Sequence, residues 1–116
     1  MMIAFAVKEN KGIDSTLAGH FGRCPYFIFI DSEEGGIKDI ETKENPFLDN
    51  HKPGVVPEFI SKKGADVIIA GGMGPKAISW FKYLGIEAIT ATPKKISDLL
   101  DDYFKGNIGG ADSCKE

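Results

Sequence analysis

The sequence predicts an α/β fold, a five-stranded mixed sheet in the order 3-2-1-4-5 carrying three helices, and two observations lead to it. The first is the stretch 64–89, GADVIIAGGMGPKAISWFKYLGIEAI, which reads as strand, glycine loop, helix and strand. The second is a change in how the strands are joined: a short turn links strands two and three, whereas helices link the later ones. An antiparallel meander followed by parallel strand-helix units gives a mixed sheet. The order 3-2-1-4-5 buries the three most apolar strands and leaves the charged third strand outside.

Residues 3–7, IAFAV, are apolar throughout and form the first, central strand. The stretch 8–25, KENKGIDSTLAGHFGRCP, is punctuated by glycines and closed by a proline. It is a long connection lying over one end of the sheet. Residues 26–30 form a second strand, apolar on both faces, and 34–36 a turn. Residues 37–43 continue as a third strand with the charges of a sheet edge. The polar loop 45–53, NPFLDNHKP, leads into a helix with Val56, Phe59 and Ile60 as its apolar stripe. Pro57 is tolerated in its first turn and Gly64 closes it.

Residues 65–70 are a short apolar run suited to a strand covered on both faces. Gly71, Gly72 and Gly74 permit positive φ and close approach to another group, and Pro75 suits the first position of a helix. That helix buries Ala77, Ile78, Phe81 and Leu84 and stops at Gly85, before a strand over 86–91. The crossover of such a unit is right-handed, so the glycine loop lies at the carboxyl end of the sheet, where open α/β folds bind ligands. Thr92 is the expected N-cap and Pro93 the first residue of a third helix, with Ile96, Leu99, Leu100, Tyr103 and Phe104 along one face. Residues 1–106 form a single domain. Residues 107–116, NIGGADSCKE, are glycine-rich and polar and are expected to be a flexible tail.

With 116 residues, 42% of them hydrophobic and 27% charged, the chain suffices for one core and not for two domains. The net charge of -3 is spread along the sequence, without the basic block that nucleic acid requires. The apolar run 3–7 is too short for a signal peptide or a membrane span, so the expected location is the cytoplasm. Cys24 and Cys114 make no disulfide framework and read as free thiols.

Chemistry concentrates in two places. No G-x-S-x-G elbow is present and the histidines are two, His20 and His51, so hydrolase chemistry has little support. The loop GGMGPK matches neither a P-loop nor a full G-x-G-x-x-G. It is either a tight strand-to-helix turn or an anion site built on the N–H groups at the start of the following helix. The run His20-Phe21-Gly22-Arg23-Cys24 brings an imidazole, a guanidinium and a thiol together beside a glycine, which suits an anionic metal-sulfur species. Its candidate metal ligands are His20 and Cys24. A single cysteine does not make an all-protein cluster site. Taken alone, Cys24 reads better as a small core residue at a strand start, and Arg23 also reads as a surface charge. His20 belongs to no apolar stripe.

GHFGRCPYF after a long loop, ENPF followed by His51 and Gly54, and ADVIIAGGMGPKAISWFKYLGI resemble the dinitrogenase iron-molybdenum cofactor biosynthesis family. The resemblance runs from Ile3 to about Leu100, and its most specific piece is His20-Phe21-Gly22-Arg23. It implies a ribonuclease-H-like fold lacking that nuclease's acidic site. It further implies a non-catalytic role, the binding or carriage of an iron-sulfur or molybdenum-iron-sulfur cofactor or its precursor during metallocofactor assembly. The transient cluster would lie between His20, Phe21, Gly22, Arg23 and Cys24 of one loop and Gly71, Gly72, Met73 and Gly74 of the other. Metallocluster donor and acceptor proteins would be the partners, with no nucleic acid and no membrane.

Two departures bear on the pocket. This chain has His51-Lys52-Pro53-Gly54 where relatives commonly show His-Gly-x-Gly, and Met73 where a small aliphatic residue is usual. Met73 is either a soft thioether contact or a gap filler. Cys114 is a reactive thiol, a second ligand or a solvent-exposed residue. An alternative from another class is a regulatory module that holds a phosphate-bearing metabolite on the 71–74 loop. A nuclease is disfavoured, because IAFAV supplies no carboxylate for a two-metal site.

Overall fold

The first strand, β1 (Met2–Val7), lies at the centre of one five-stranded sheet, in a computed structural model that describes residues 1–34, 36–47, 54–106 and 108. The others are β2 (Tyr26–Glu33), β3 (Gly36–Glu44), β4 (Val67–Ala70) and β5 (Glu87–Thr90), in the expected order β3-β2-β1-β4-β5. β1 pairs antiparallel with β2 and parallel with β4, β2 pairs antiparallel with β3, and β4 parallel with β5. The helices are α1 (Val55–Lys62), α2 (Pro75–Tyr83) and α3 (Ile96–Phe104). No helix among the described residues is long and apolar enough to cross a membrane.

The two-residue period of the strands divides the apolar residues between two cores. Ala4, Ala6, Phe27, Phe29, Ile68 and Ala70 face α1 and α2, whereas Ile3, Phe5, Val7, Ile28, Ile30 and Ile69 face α3. The alanines of β1 and β4 leave room on the first face for aromatic rings. Phe21 meets Phe81 edge-on at 5.2 Å between centroids, and Phe59 touches Phe27 at 6.0 Å. Each fully buried ring or branched side chain contributes about 1.5–3 kcal/mol. β3, rich in charge, is exposed along nearly its whole length, as an edge strand should be.

The third helix corrects an expectation. Thr92 and Pro93 do not start it; Lys95 is the N-cap and Ile96 the first helical residue. The preceding segment is held extended by the first long connection. The Leu17 N–H donates to the Lys94 carbonyl (2.9 Å), Thr16 pairs antiparallel with Lys95, and the Ile96 N–H donates to the Ser15 carbonyl (2.9 Å). Strand-like bonds to a distant part of the chain thus override a good local cap. Phe104, expected on the buried face, is exposed, while Ile96, Leu99 and Leu100 are buried.

Because α1 precedes β4 and α2 and α3 follow β4 and β5, all three helices present their N-termini at the carboxyl end of the parallel strands. The connection after β1 lies over the same end. Of the C-terminal segment only Ile108 is described, packed against the α3 core. His51 and Cys114 lie outside the described residues.

Candidate functional site

The connection after β1 reaches β2 through a single turn of 3₁₀ helix, Phe21–Arg23. Buried residues bracket that turn. Phe21 inserts its ring between Phe27 (6.0 Å) and Phe81 (5.2 Å), and Cys24 is fully enclosed in the same core. His20 and Arg23 consequently project to solvent beside the half-buried Gly22. Neither side chain forms a hydrogen bond or an ion pair with another described residue, so both are free to meet a ligand.

Asn45 locks the exit of the turn. Its Nδ2 donates to the Cys24 carbonyl (2.9 Å), its N–H donates to the Pro25 carbonyl (2.9 Å), and its Oδ1 accepts from the Phe47 N–H (2.9 Å). Asn45 is itself buried with every side-chain polar atom satisfied. Sequence reasoning missed this role, although an asparagine followed by proline at a strand end is the signal of such an Asx turn.

The glycine loop after β4 touches the first connection directly. The Gly71 N–H donates to the Ala18 carbonyl (3.0 Å), and the Phe21 N–H donates to the Gly72 carbonyl (2.8 Å). A Cβ at Gly71 would lie 2.4 Å from the Ala18 oxygen and 2.9 Å from the Gly19 Cα. Glycine is required there for close approach. The expected positive φ is used neither at Gly71 nor at Gly74, whose φ of -70° is that of an ordinary extended cap before α2. Met73 is buried in the α1/α2 core, where its thioether fills space among Phe and Ile side chains and is not offered to the loop surface.

The residues singled out from the sequence therefore separate into two sets. His20, Gly22, Arg23, Gly71, Gly72 and Gly74 lie on the two hydrogen-bonded loops, and Phe21, Cys24 and Met73 hold those loops from below. Cys24, expected as a metal ligand, is fully buried beneath the loops. Burial pushes its thiol up to about 12. Among the described residues no group of three or more His, Cys, Asp or Glu is placed to hold a metal ion.

Charges of both signs lie at both ends of the sheet. Lys8, Lys11, Arg23, Lys76, Lys94 and Lys95 lie at the carboxyl end with the three helix N-termini, beside Asp14, Glu44, Glu58 and Asp98. Asp31, Glu33, Asp39, Asp66 and Glu87 lie at the opposite end with Lys38, Lys62 and Lys82. The helix dipoles favour an anion at the loop end. Glu9, a carboxylate at that end, is held by the Thr16 N–H at 2.7 Å, which lowers its pKa. On the α3 side of the same end, Gly71, Thr90, Thr92, Lys94, Leu99 and Ile108 line a cleft of about 500 Å³. The arrangement offers hydrogen-bond donors to an anion, and among the described residues no exposed thiol stands beside it to form a metal–sulfur bond.

A family model for "Dinitrogenase iron-molybdenum cofactor" matches residues 1–106. The uncharacterized protein MJ0580 of Methanocaldococcus jannaschii is 34% identical over 110 residues, covering 93% of this chain and 89% of its own. The crystal structure of PH0822 superposes with a TM-score of 0.83 at 35% identity, over 93% of this chain and 94% of that one. The apo form of the orange protein from Desulfovibrio gigas gives a TM-score of 0.84 over 99% and 96% of the two chains. Its 23% identity makes that a likeness of fold alone.

Proposed function

The chain belongs to the dinitrogenase iron-molybdenum cofactor family, and from that premise we propose that it binds and carries an anionic iron-sulfur or molybdenum-iron-sulfur cluster, or a precursor of one, as cargo that it does not transform. The observation that carries this reading is the junction of the two loops at the end of the sheet where the three helices begin, with Arg23 and His20 exposed beside it and without an ion pair among the described residues. The guanidinium of Arg23 supplies a fork of donors to the sulfur or oxygen atoms on the cargo's surface. Backbone amides around Gly22 and Gly72 and the N-terminus of α2 add dipoles of the same sign. His20 adds a donor or a single metal contact. Among the described residues no set of three His, Cys, Asp or Glu surrounds the cargo, so it is held reversibly, which is what handing over between a donor and an acceptor protein in the cytoplasm requires.

The test is anaerobic gel filtration of the protein mixed with a preformed iron-sulfur or molybdenum-iron-sulfur cluster, with metal and visible absorbance assayed in the protein peak and ATP run as a parallel ligand. Co-elution that falls at least tenfold in Arg23→Ala, weakens in His20→Ala and persists in Cys24→Ala supports the assignment. Retention of ATP with no metal would replace it by the regulatory reading. Metal retained equally by Arg23→Ala would remove the site from this loop.

A further inference from the structure

Helix α2 buries Phe81 and turns Lys76, Ser79, Trp80, Lys82 and Tyr83 to solvent. Lys76, Trp80 and Tyr83 recur at i, i+4 and i+7 and share one stripe, with Lys82 flanking it. Trp80 is 39% and Tyr83 82% exposed, and their rings meet edge-to-face at 6.0 Å. Trp80 is not loose on the surface. Its six-membered ring sits on Gly54, where a Cβ would come within 2.7 Å of it, so the indole is held in one orientation.

The three helices treat their lysines differently. On α1, Lys62 pairs with Glu58 at 3.0 Å, and the lysine that caps α3, Lys105, pairs with Asp101 at 2.9 Å. Helix α2 contains no acidic residue, although the chain holds 17 acidic against 14 basic residues, and neither Lys76 nor Lys82 forms an ion pair with a described residue. Lys76 thus lies in the stripe with an exposed aromatic pair and Lys82 at its edge, about 100° around the helix from Tyr83, and neither has an acidic partner among the described residues. Tryptophan and tyrosine in such a setting are the residue types that dominate protein interfaces.

From this contrast we infer that the outer face of α2 docks an acidic segment of a partner protein, with Trp80 and Tyr83 taking its apolar side chains and Lys76 and Lys82 its carboxylates. A membrane surface fits less well. The apolar side of α2, with Phe81 and the half-buried Ile78 and Leu84, is turned to the sheet and so is not offered to a bilayer. The inference stands whether or not the loops carry a cluster.

Trp80 is the one tryptophan of the chain, so its emission reports on this face directly. The protein is titrated with a synthetic amphipathic peptide of leucine and glutamate, with its lysine-for-glutamate twin, and with phosphatidylglycerol vesicles. A saturable blue shift with the acidic peptide alone, weakened by salt, is the expected result. Tyr83→Ala, at a position too exposed to affect folding, raises the peptide's Kd about tenfold. Lys76→Glu with Lys82→Glu transfers the response to the basic twin. No shift with the acidic peptide, or an equal shift with the basic twin or the vesicles, overturns the inference.

Discussion

Replacing Gly71 by alanine tests whether the two loops depend on their contact. The added Cβ would stand 2.4 Å from the Ala18 oxygen and 2.9 Å from the Gly19 Cα, both backbone atoms that no side-chain rotation can move aside. The first connection must therefore lift away from β4. The bonds from Gly71 to Ala18 (3.0 Å) and from Phe21 to Gly72 (2.8 Å) would be lost with it. Each is worth about 1 kcal/mol and the overpacking about 2 kcal/mol. About 1 kcal/mol is returned because alanine restricts the unfolded chain. The expected loss is about 3 kcal/mol, a large part of a typical domain's stability. Gly74→Ala is the control, since a Cβ there meets nothing within 4 Å and φ is already -70°. Urea denaturation followed by Trp80 emission gives the stabilities, and amide exchange at Phe21 reports the loop contact. A Gly71→Ala protein within about 0.5 kcal/mol of Gly74→Ala, with its Phe21 amide still protected, would refute the argument.

Two further outcomes follow from the core beneath the loops. Asn45→Ala removes a buried amide that holds the Cys24 carbonyl and the Phe47 N–H, and should cost about 2–3 kcal/mol in chemical denaturation. A loss below about 0.5 kcal/mol would mean that water replaces the clamp. The buried thiol of Cys24 imposes a pH dependence of known sign. Its pKa stands at about 12 in the folded protein against about 9 for a solvent-exposed thiol. The unfolded chain therefore releases this proton first as pH rises. Stability is lost between about pH 9 and pH 12, by on the order of 4 kcal/mol, and is untouched by this group below that window. Urea midpoints of the parent protein should fall more steeply over that range than those of Cys24→Ala; parallel curves would contradict the placement of the thiol.

The sheet was legible because burial on both faces leaves a mark in composition. Residues 3–7 and 65–70 carry no polar side chain except Asp66, so they had to be interior strands, and the charges of 37–43 had to lie at an edge. Pro75 after a glycine loop announced α2 in the same local way. Helix α3 was misjudged at its start because Thr92-Pro93 is a sound cap in isolation, and only the bonds from Ser15 and Leu17 across the fold make the segment extended. In the site, His20 and Arg23 were legible as exposed polar residues in a loop. Phe21, Cys24 and Met73 were not separable from ligands by residue type, because a soft sulfur atom and an aromatic ring serve a core and a cluster equally well. All three are buried in the fold.

That separation explains how so short a loop presents an arginine at a fixed place. A three-residue turn has too few backbone bonds of its own, since the Arg23 N–H reaches the His20 carbonyl only at 3.4 Å. Ordering each of its residues costs about 1–2 kcal/mol of backbone entropy. The burial of Phe21 on one side and Cys24 on the other opposes that cost, and Asn45 and Gly72 fix the two exits by hydrogen bonds. Gly22 and Arg23 are then left facing solvent with nowhere else to point. The backbone at this end is thus held in place by its neighbours, while the Arg23 guanidinium, which has no hydrogen bond or ion pair among the described residues, is exposed to solvent. The buried Cys24 packs the chain next to Arg23 into the core.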